Sequence, residues 1–140
     1  MSDDILIEMI QNQRKDLPIN KKLVYNDLRR ISKYLNNSIF NSDDCCLWNG
    51  YISPIKNDDK NYYINFYFNG KRHSLQRLLY YNFVGDINNS EYIKYYCTNK
   101  SKCCNIKHFY KIDKNTSTNI INIINNNDKI NKDIIVDFNL

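Results

Sequence analysis

Apolar positions in this chain follow two periods. At helical spacing, Leu6, Met9 and Ile10 share a face of residues 3–16, with Asp3 or Ser2 placed to cap the start and Pro18 to end the run. Val24, Leu28, Ile31 and Leu35 recur at i, i+4, i+7 and i+11 and predict a second helix over residues 20–36. Lys21, Lys22, Arg29, Arg30 and Lys33 cover its other faces, as a solvated helix surface requires. The Asn/Ser-rich run 36–44 then reads as a linker.

Alternation takes over further on. After a short strand and turn at Cys45–Gly50 and a polar loop over 51–61, Tyr62, Ile64, Phe66 and Phe68 face one way and Tyr63, Asn65 and Tyr67 the other. This run ends in Asn69-Gly70, two residues that tolerate positive φ, and predicts a hairpin returning through Lys71, Arg72, His73 and Ser74. A helix follows over 75–83, with Gly85 placed to end it, then a turn at 86–90 and a strand at 92–96. Ile120, Ile121, Ile123 and Ile124 suggest a helix within 116–125, and 134–138 suits either a strand or a partner-binding tail. Taken together these elements predict an α+β fold.

A length of 140 residues fits one domain, and 42% hydrophobic content supports a modest core. Nothing approaches the ~18 uninterrupted apolar residues of a membrane helix. The acidic beginning, MSDDILIEMI, has neither the basic flank nor the apolar stretch of a signal peptide, so an intracellular site, cytoplasmic or nuclear, is expected. In that setting an odd count of five cysteines suits reduced thiols and metal ligation better than a disulfide framework. The chain contains no alanine and abounds in Asn, Ile, Lys and Tyr, the bias of AT-rich codons; a large DNA virus of protists is one such source, so a viral protein acting in a host cell is expected.

The strongest chemical signal lies between Cys97 and His108, where Cys97, Cys103, Cys104 and His108 fall within a dozen residues. Sulfur and imidazole at this spacing suit tetrahedral zinc, and Cys45 or Cys46, about fifty residues upstream, would complete the shell. Such an ion would be structural, pinning the middle of the chain to this loop.

In one order the chain carries Cys45-x-Leu47-Trp48-x-Gly50, the hairpin, Gln76-Arg77-Leu78-Leu79-Tyr80, Phe83-Val84-Gly85-Asp86-Ile87 and Cys97-x5-Cys103-Cys104-Asn105-x2-His108. This ordered set resembles the zinc-bound HNH, or His-Me finger, homing endonucleases over residues 43–117. The resemblance implies a zinc-stapled ββα-like domain there, preceded by an N-terminal helical extension (1–42) and followed by a C-terminal helix and tail (118–140). It also implies zinc ligands Cys45, Cys97, Cys103 and His108, with Cys103 chosen over Cys104 by the family's Cys-x-Asn-Pro-x-His pattern. The pattern's proline is missing here, and one extra residue separates Cys97 from Cys103. In the family a histidine two residues before the loop cysteine is the general base, and an asparagine at the start of the next helix holds Mg²⁺. Those positions are Tyr95 and Ser117 here, so the resemblance implies a frame that has lost its catalytic residues, as in the DNA-binding domain of Smad transcription factors, which keeps zinc and binds DNA through a hairpin.

A net charge of +5 permits a polyanionic partner. Asn65, Tyr67, Lys71, Arg72 and His73 on the hairpin are the candidate DNA contacts, with Arg77, Lys100, Lys102 and Lys107 as further phosphate contacts. The alternative is RNA, or an RNA end, held in an aromatic cleft of Trp48, Tyr62, Tyr63 and Tyr67. Two further readings are an assembly subunit that docks a protein through the N-terminal helices or the C-terminal tail, and a residual Mg-dependent nuclease.

Overall fold

The computed structural model describes residues 2–55 and 58–113. The helix expected at 116–125, the tail at 134–138 and Ser117 all lie outside the described residues, as does the side chain of Tyr62. Three helices and three two-stranded antiparallel sheets form the described part, in the order α1 Ser2–Asn12, α2 Tyr25–Ser32, β1 Ser53–Ile55, β2 Asp58–Tyr63, β3 Asn65–Phe68, β4 Lys71–Ser74, α3 Leu75–Phe83, β5 Glu91–Tyr95 and β6 Phe109–Asp113. The fold is mixed α+β, as expected.

Both N-terminal helices are shorter than their periodicity predicts. Helix α1 stops at Asn12, well before Pro18, and Ser2 and Asp3 lie inside its first turn rather than at its cap. Its buried face is Ile5, Leu6 and Met9, while Ile10 is exposed. Pro18 instead opens a turn in which its carbonyl accepts from the Lys21 and Lys22 amides, both at 3.0 Å. Helix α2 begins only after Val24, whose amide donates to the Asp27 carboxylate at 3.0 Å, half of a capping box. Val24 is therefore exposed, and Leu28, Ile31 and Leu35 bury the expected stripe.

The hairpin β3–β4 forms as predicted. Asn69 and Gly70 take φ of 52° and 75°, a turn whose twist matches the flanking strands. Its register pairs Asn65 with Ser74, Phe66 with His73, Tyr67 with Arg72 and Phe68 with Lys71. Upstream, two expectations are corrected. The polar stretch 51–61 is no loop but holds β1 and much of β2, paired Ser53 to Tyr63. The single run 62–68 changes partner at Ile64, whose side chain is fully buried and whose carbonyl accepts from the Leu75 amide at 2.9 Å. Residues 45–50 pair only through isolated bridges, Leu35 with Trp48 and Leu47 with Cys103.

Helix α3 is capped by Ser74, whose hydroxyl accepts from the Arg77 amide at 3.4 Å, and it ends through Val84 and Gly85 amides donating to the Tyr80 carbonyl. Gly85 does this without a positive φ. One apolar core joins Met9, Leu23 and Ile31 of the N-terminal segment to Ile64, Leu75 and Leu79 and on to Cys104 and Phe109. At its centre the buried Asn82 side chain accepts from the Leu23 amide and Gln13 and donates to the Lys21 and Leu78 carbonyls. Every hydrogen-bonding atom of that amide is used, so the N-terminal segment is fastened to α3 rather than appended to it.

Candidate metal centre

The strand β5 runs into the cysteine loop and β6 runs out of it, so this loop closes a hairpin. Tyr95 pairs with Phe109, and the Tyr96 amide donates to the His108 carbonyl at 2.8 Å, placing Cys97 and His108 side by side at its neck. Within the loop, Lys102 and Cys103 amides both donate to the Asn99 carbonyl, and Ser101 takes a left-handed φ of 66°, turning the chain back so that Cys103 faces Cys97.

Cys45 reaches the same point from the other half of the chain. The Cys104 amide donates to the Cys46 carbonyl at 2.6 Å, Ile106 to Ile39 at 2.9 Å and Trp48 to Lys102 at 3.3 Å. Asn105, fully buried, donates to the Asn41 and Asp44 carbonyls at 2.5 and 2.9 Å and accepts from the Lys107 amide. From α3, Gln76 donates to the Ser101 and Cys103 carbonyls.

The ligand atoms of Cys45, Cys97, Cys103 and His108 consequently all lie within 4.8 Å of one another. His108 Nδ1 is 3.4 Å from Cys45 Sγ and 3.7 Å from Cys103 Sγ. A tetrahedron with metal–sulfur bonds of about 2.3 Å and a metal–nitrogen bond of about 2.0–2.1 Å has sulfur-to-nitrogen edges of about 3.5 Å. The two sulfur-to-nitrogen distances lie close to that value, so the four residues are compatible with one metal ion. The opposite ring nitrogen, Nε2, faces the Ser42 carbonyl at 3.4 Å, the outer contact that fixes a ligating imidazole. The Asn105 amide points at Cys103 Sγ, 3.4 Å away.

Charge balance at the cluster is uneven. Burial pushes Cys103 up to about 12 and raises Cys97 as well. At Cys45 burial also acts upward, but hydrogen bonds from Asn99, His108, Cys97 and Cys103 outweigh it and the thiol falls below its ordinary value. The two remaining cysteines point elsewhere. Cys46 donates to the Asn37 carbonyl at 3.0 Å and is pushed by burial up to about 12; Cys104 lies in the core, its thiol held well above the ordinary range by burial. No cysteine is in a disulfide.

An uncharacterized protein of Acanthamoeba polyphaga mimivirus is 52% identical over 116 residues, which are 81% of this chain and 34% of that protein. The chain thus spans about a third of the length of the curated relative it matches. No family model and no solved structure matches it. A viral relative agrees with the origin that the composition suggests. Among the described residues no helix is long and apolar enough to cross a membrane.

The remaining predicted residues divide among four places. Phe66 and Phe68 are buried, so Asn65 and Tyr67, with their cross-strand partners Ser74 and Arg72, form the outer face of the β3–β4 hairpin, while Lys71 and His73 lie on the side of the two phenylalanines. His73 packs edge-on to Phe68 and, with Lys21, Ser74 and Arg77, lines a cavity of about 220 Å³. Arg77 itself donates to the Glu91 and Asn88 carbonyls at 2.6 and 2.8 Å, tying α3 to β5. Lys100 and Lys107 are exposed on the metal loop, and Lys102 is half-buried there.

The proposed aromatic set does not assemble as one cleft. Trp48 is buried against Tyr34 at a ring separation of 5.2 Å, whereas Tyr63 and Tyr67 are exposed and do not line the cavity beside Trp48. Tyr34 and Tyr51, which do line it, escaped the sequence reading. Tyr51 adjoins the Trp48-x-Gly50 motif and was within reach of it; Tyr34 was not, because it arrives through the Leu35–Trp48 bridge.

Proposed function

We propose that the chain is a zinc-stapled domain of His-Me finger type that binds nucleic acid without cutting it and presents the β3–β4 hairpin to duplex DNA. The observation that carries this reading is the Cys45, Cys97, Cys103, His108 cluster at the neck of β5–β6, with a tyrosine two residues before its first loop cysteine. Three thiolates and an imidazole are a structural zinc set that leaves no position for a catalytic water. Tyr95 occupies the place of the nuclease base. Burial, then the neighbouring thiols, push its phenol above the ordinary range, so it keeps its proton at neutral pH and accepts none from water.

Support for the hairpin as the contact surface comes from its outer face, where Tyr67 and Arg72 stand exposed, and from the net charge of +5. A two-stranded ribbon is an element that the major groove admits. Lys71 at the turn and Lys100 and Lys107 on the metal loop are exposed cations placed to meet phosphates.

Elemental analysis combined with incubation on labelled duplex DNA and Mg²⁺ tests the proposal. The expected result is one zinc per chain and binding that weakens steeply with salt, with the DNA left intact. Cleavage abolished by His73→Ala would make the protein an enzyme, and zinc without affinity for any nucleic acid would favour an assembly subunit.

A further inference from the structure

A cavity of about 370 Å³ opens beside the hairpin, between the Trp48–Gly50 turn and the outer face of β3–β4. Its size lies at the low end of the ~300–1,000 Å³ range of small-ligand sites, enough for one flat ring with its sugar. Its walls are unusual in composition: Tyr34, Trp48 and Tyr51 with Asn65 and Arg72, and no carboxylate among the described lining residues. The Asn65 and Arg72 side chains make no hydrogen bond or ion pair among the described residues, and Tyr51 is 80% exposed. Trp48 is only 8% exposed, and its Nε1–H is a buried donor without an acceptor among the described residues. In a native fold such a donor calls for an explanation.

We propose that this cavity takes an unpaired nucleobase carrying a phosphate. The flat rings supply stacking surfaces, which every base can use. The carboxamide offers a donor and an acceptor side by side, matching a base edge, and the planar guanidinium stacks or pairs with the phosphate. Because Asn65 and Arg72 belong to the same outer face as Tyr67, a strand lying on the hairpin delivers its base directly into the cavity. The inference rests on the nucleic-acid reading for its source of ligand, and it adds to the duplex contact at the hairpin a site for an unpaired base.

Trp48 is the chain's one tryptophan, so its emission reports on this cavity alone. The test titrates the zinc-loaded protein with oligothymidylate and oligouridylate of about ten nucleotides, with thymidine monophosphate and with a blunt duplex, reading Trp48 emission and the anisotropy of labelled strands. Single strands are expected to quench Trp48 on binding. Tyr51→Ala and Arg72→Ala, both at exposed positions, are expected to weaken that binding, the ring deletion by about five- to a hundredfold. Quenching by the mononucleotide with the same sensitivity to Tyr51→Ala supports the cavity and makes a free nucleotide its source. Duplex binding with no preference for single strands and no change at Trp48 overturns the cavity while leaving the hairpin reading intact. Absence of binding to every probe overturns both.

Discussion

At the scale of single residues, steric fit around Trp48 is decisive. A side-chain carbon on Gly50 would lie 2.6 Å from the indole Nε1 and 2.9 Å from its Cε2, far inside contact distance. Gly50→Ala must therefore push the indole out of the core, at a cost of about 1–3 kcal/mol, visible as a lower denaturant midpoint and a shifted Trp48 emission. The cluster thiols set a pH dependence. A thiol held at about 12, as Cys103 is, carries its proton at neutral pH, and Cys97 is raised in the same direction. Ligation displaces both protons. Acid favours the protonated thiols, so metal affinity falls as pH falls and climbs as pH rises, by at least about a hundredfold per unit, since the Cys97 and Cys103 protons must both leave. Competition with a chelator of known affinity at two pH values measures this, and a flat profile would show that these thiols are not the ligands.

At the scale of elements, Asn82 joins three pieces of chain. Asn82→Ala removes four hydrogen bonds and strands the buried Leu23 amide, so a loss of about 2–4 kcal/mol is expected by chemical denaturation, with helices α1 and α2 becoming protease-sensitive before the rest. What could be read from sequence at this scale follows from how local the cause is. Asn69-Gly70 set the hairpin within four residues, and the Leu28, Ile31, Leu35 stripe lies within two turns. Helices α1 and α2 fall short of their periodic stripes because Pro18 opens a turn of its own and Asp27 starts the helix late. Strands β1 and β6 were missed because they are defined by partners: the polar Asp58–Tyr63 segment pairs with β1, and Phe109–Asp113 pairs with β5. The same division runs through the site. Cysteine and histidine spacing marks the ligand group, but the choice of Cys45 over Cys46 and of Cys103 over Cys104 comes from the family resemblance, and the Tyr34 wall of the cavity depends on a bridge between segments that no local pattern encodes.

At the scale of the whole molecule, the metal centre and the core fasten the same segments together. The cluster ties Cys45 to the β5–β6 neck, while the backbone bonds from Cys104 and Ile106 and the Asn105 side chain lay the preceding segment against the loop. Without an ion, the buried Cys103 thiol, the half-buried Cys45 and Cys97 thiols and His108 have chiefly one another to face. Chelation is expected to lower the melting temperature strongly, the loss amounting to several kcal/mol, and Cys97→Ser or His108→Ala to do the same without chelator. Circular dichroism with and without chelator checks both, and full thermal stability in a zinc-free variant would remove the metal from the account.

The spacing of those ligands also orders events on the ribosome. Cys45 and His108 stand 63 positions apart in the chain. At synthesis rates of about 5–20 residues per second, Cys45 is added roughly three to thirteen seconds before its last co-ligand exists. For the first part of that interval the N-terminal helices also lack α3, which is made only once residue 83 is in the chain. An ion held by all four residues can thus be captured only after translation has passed His108.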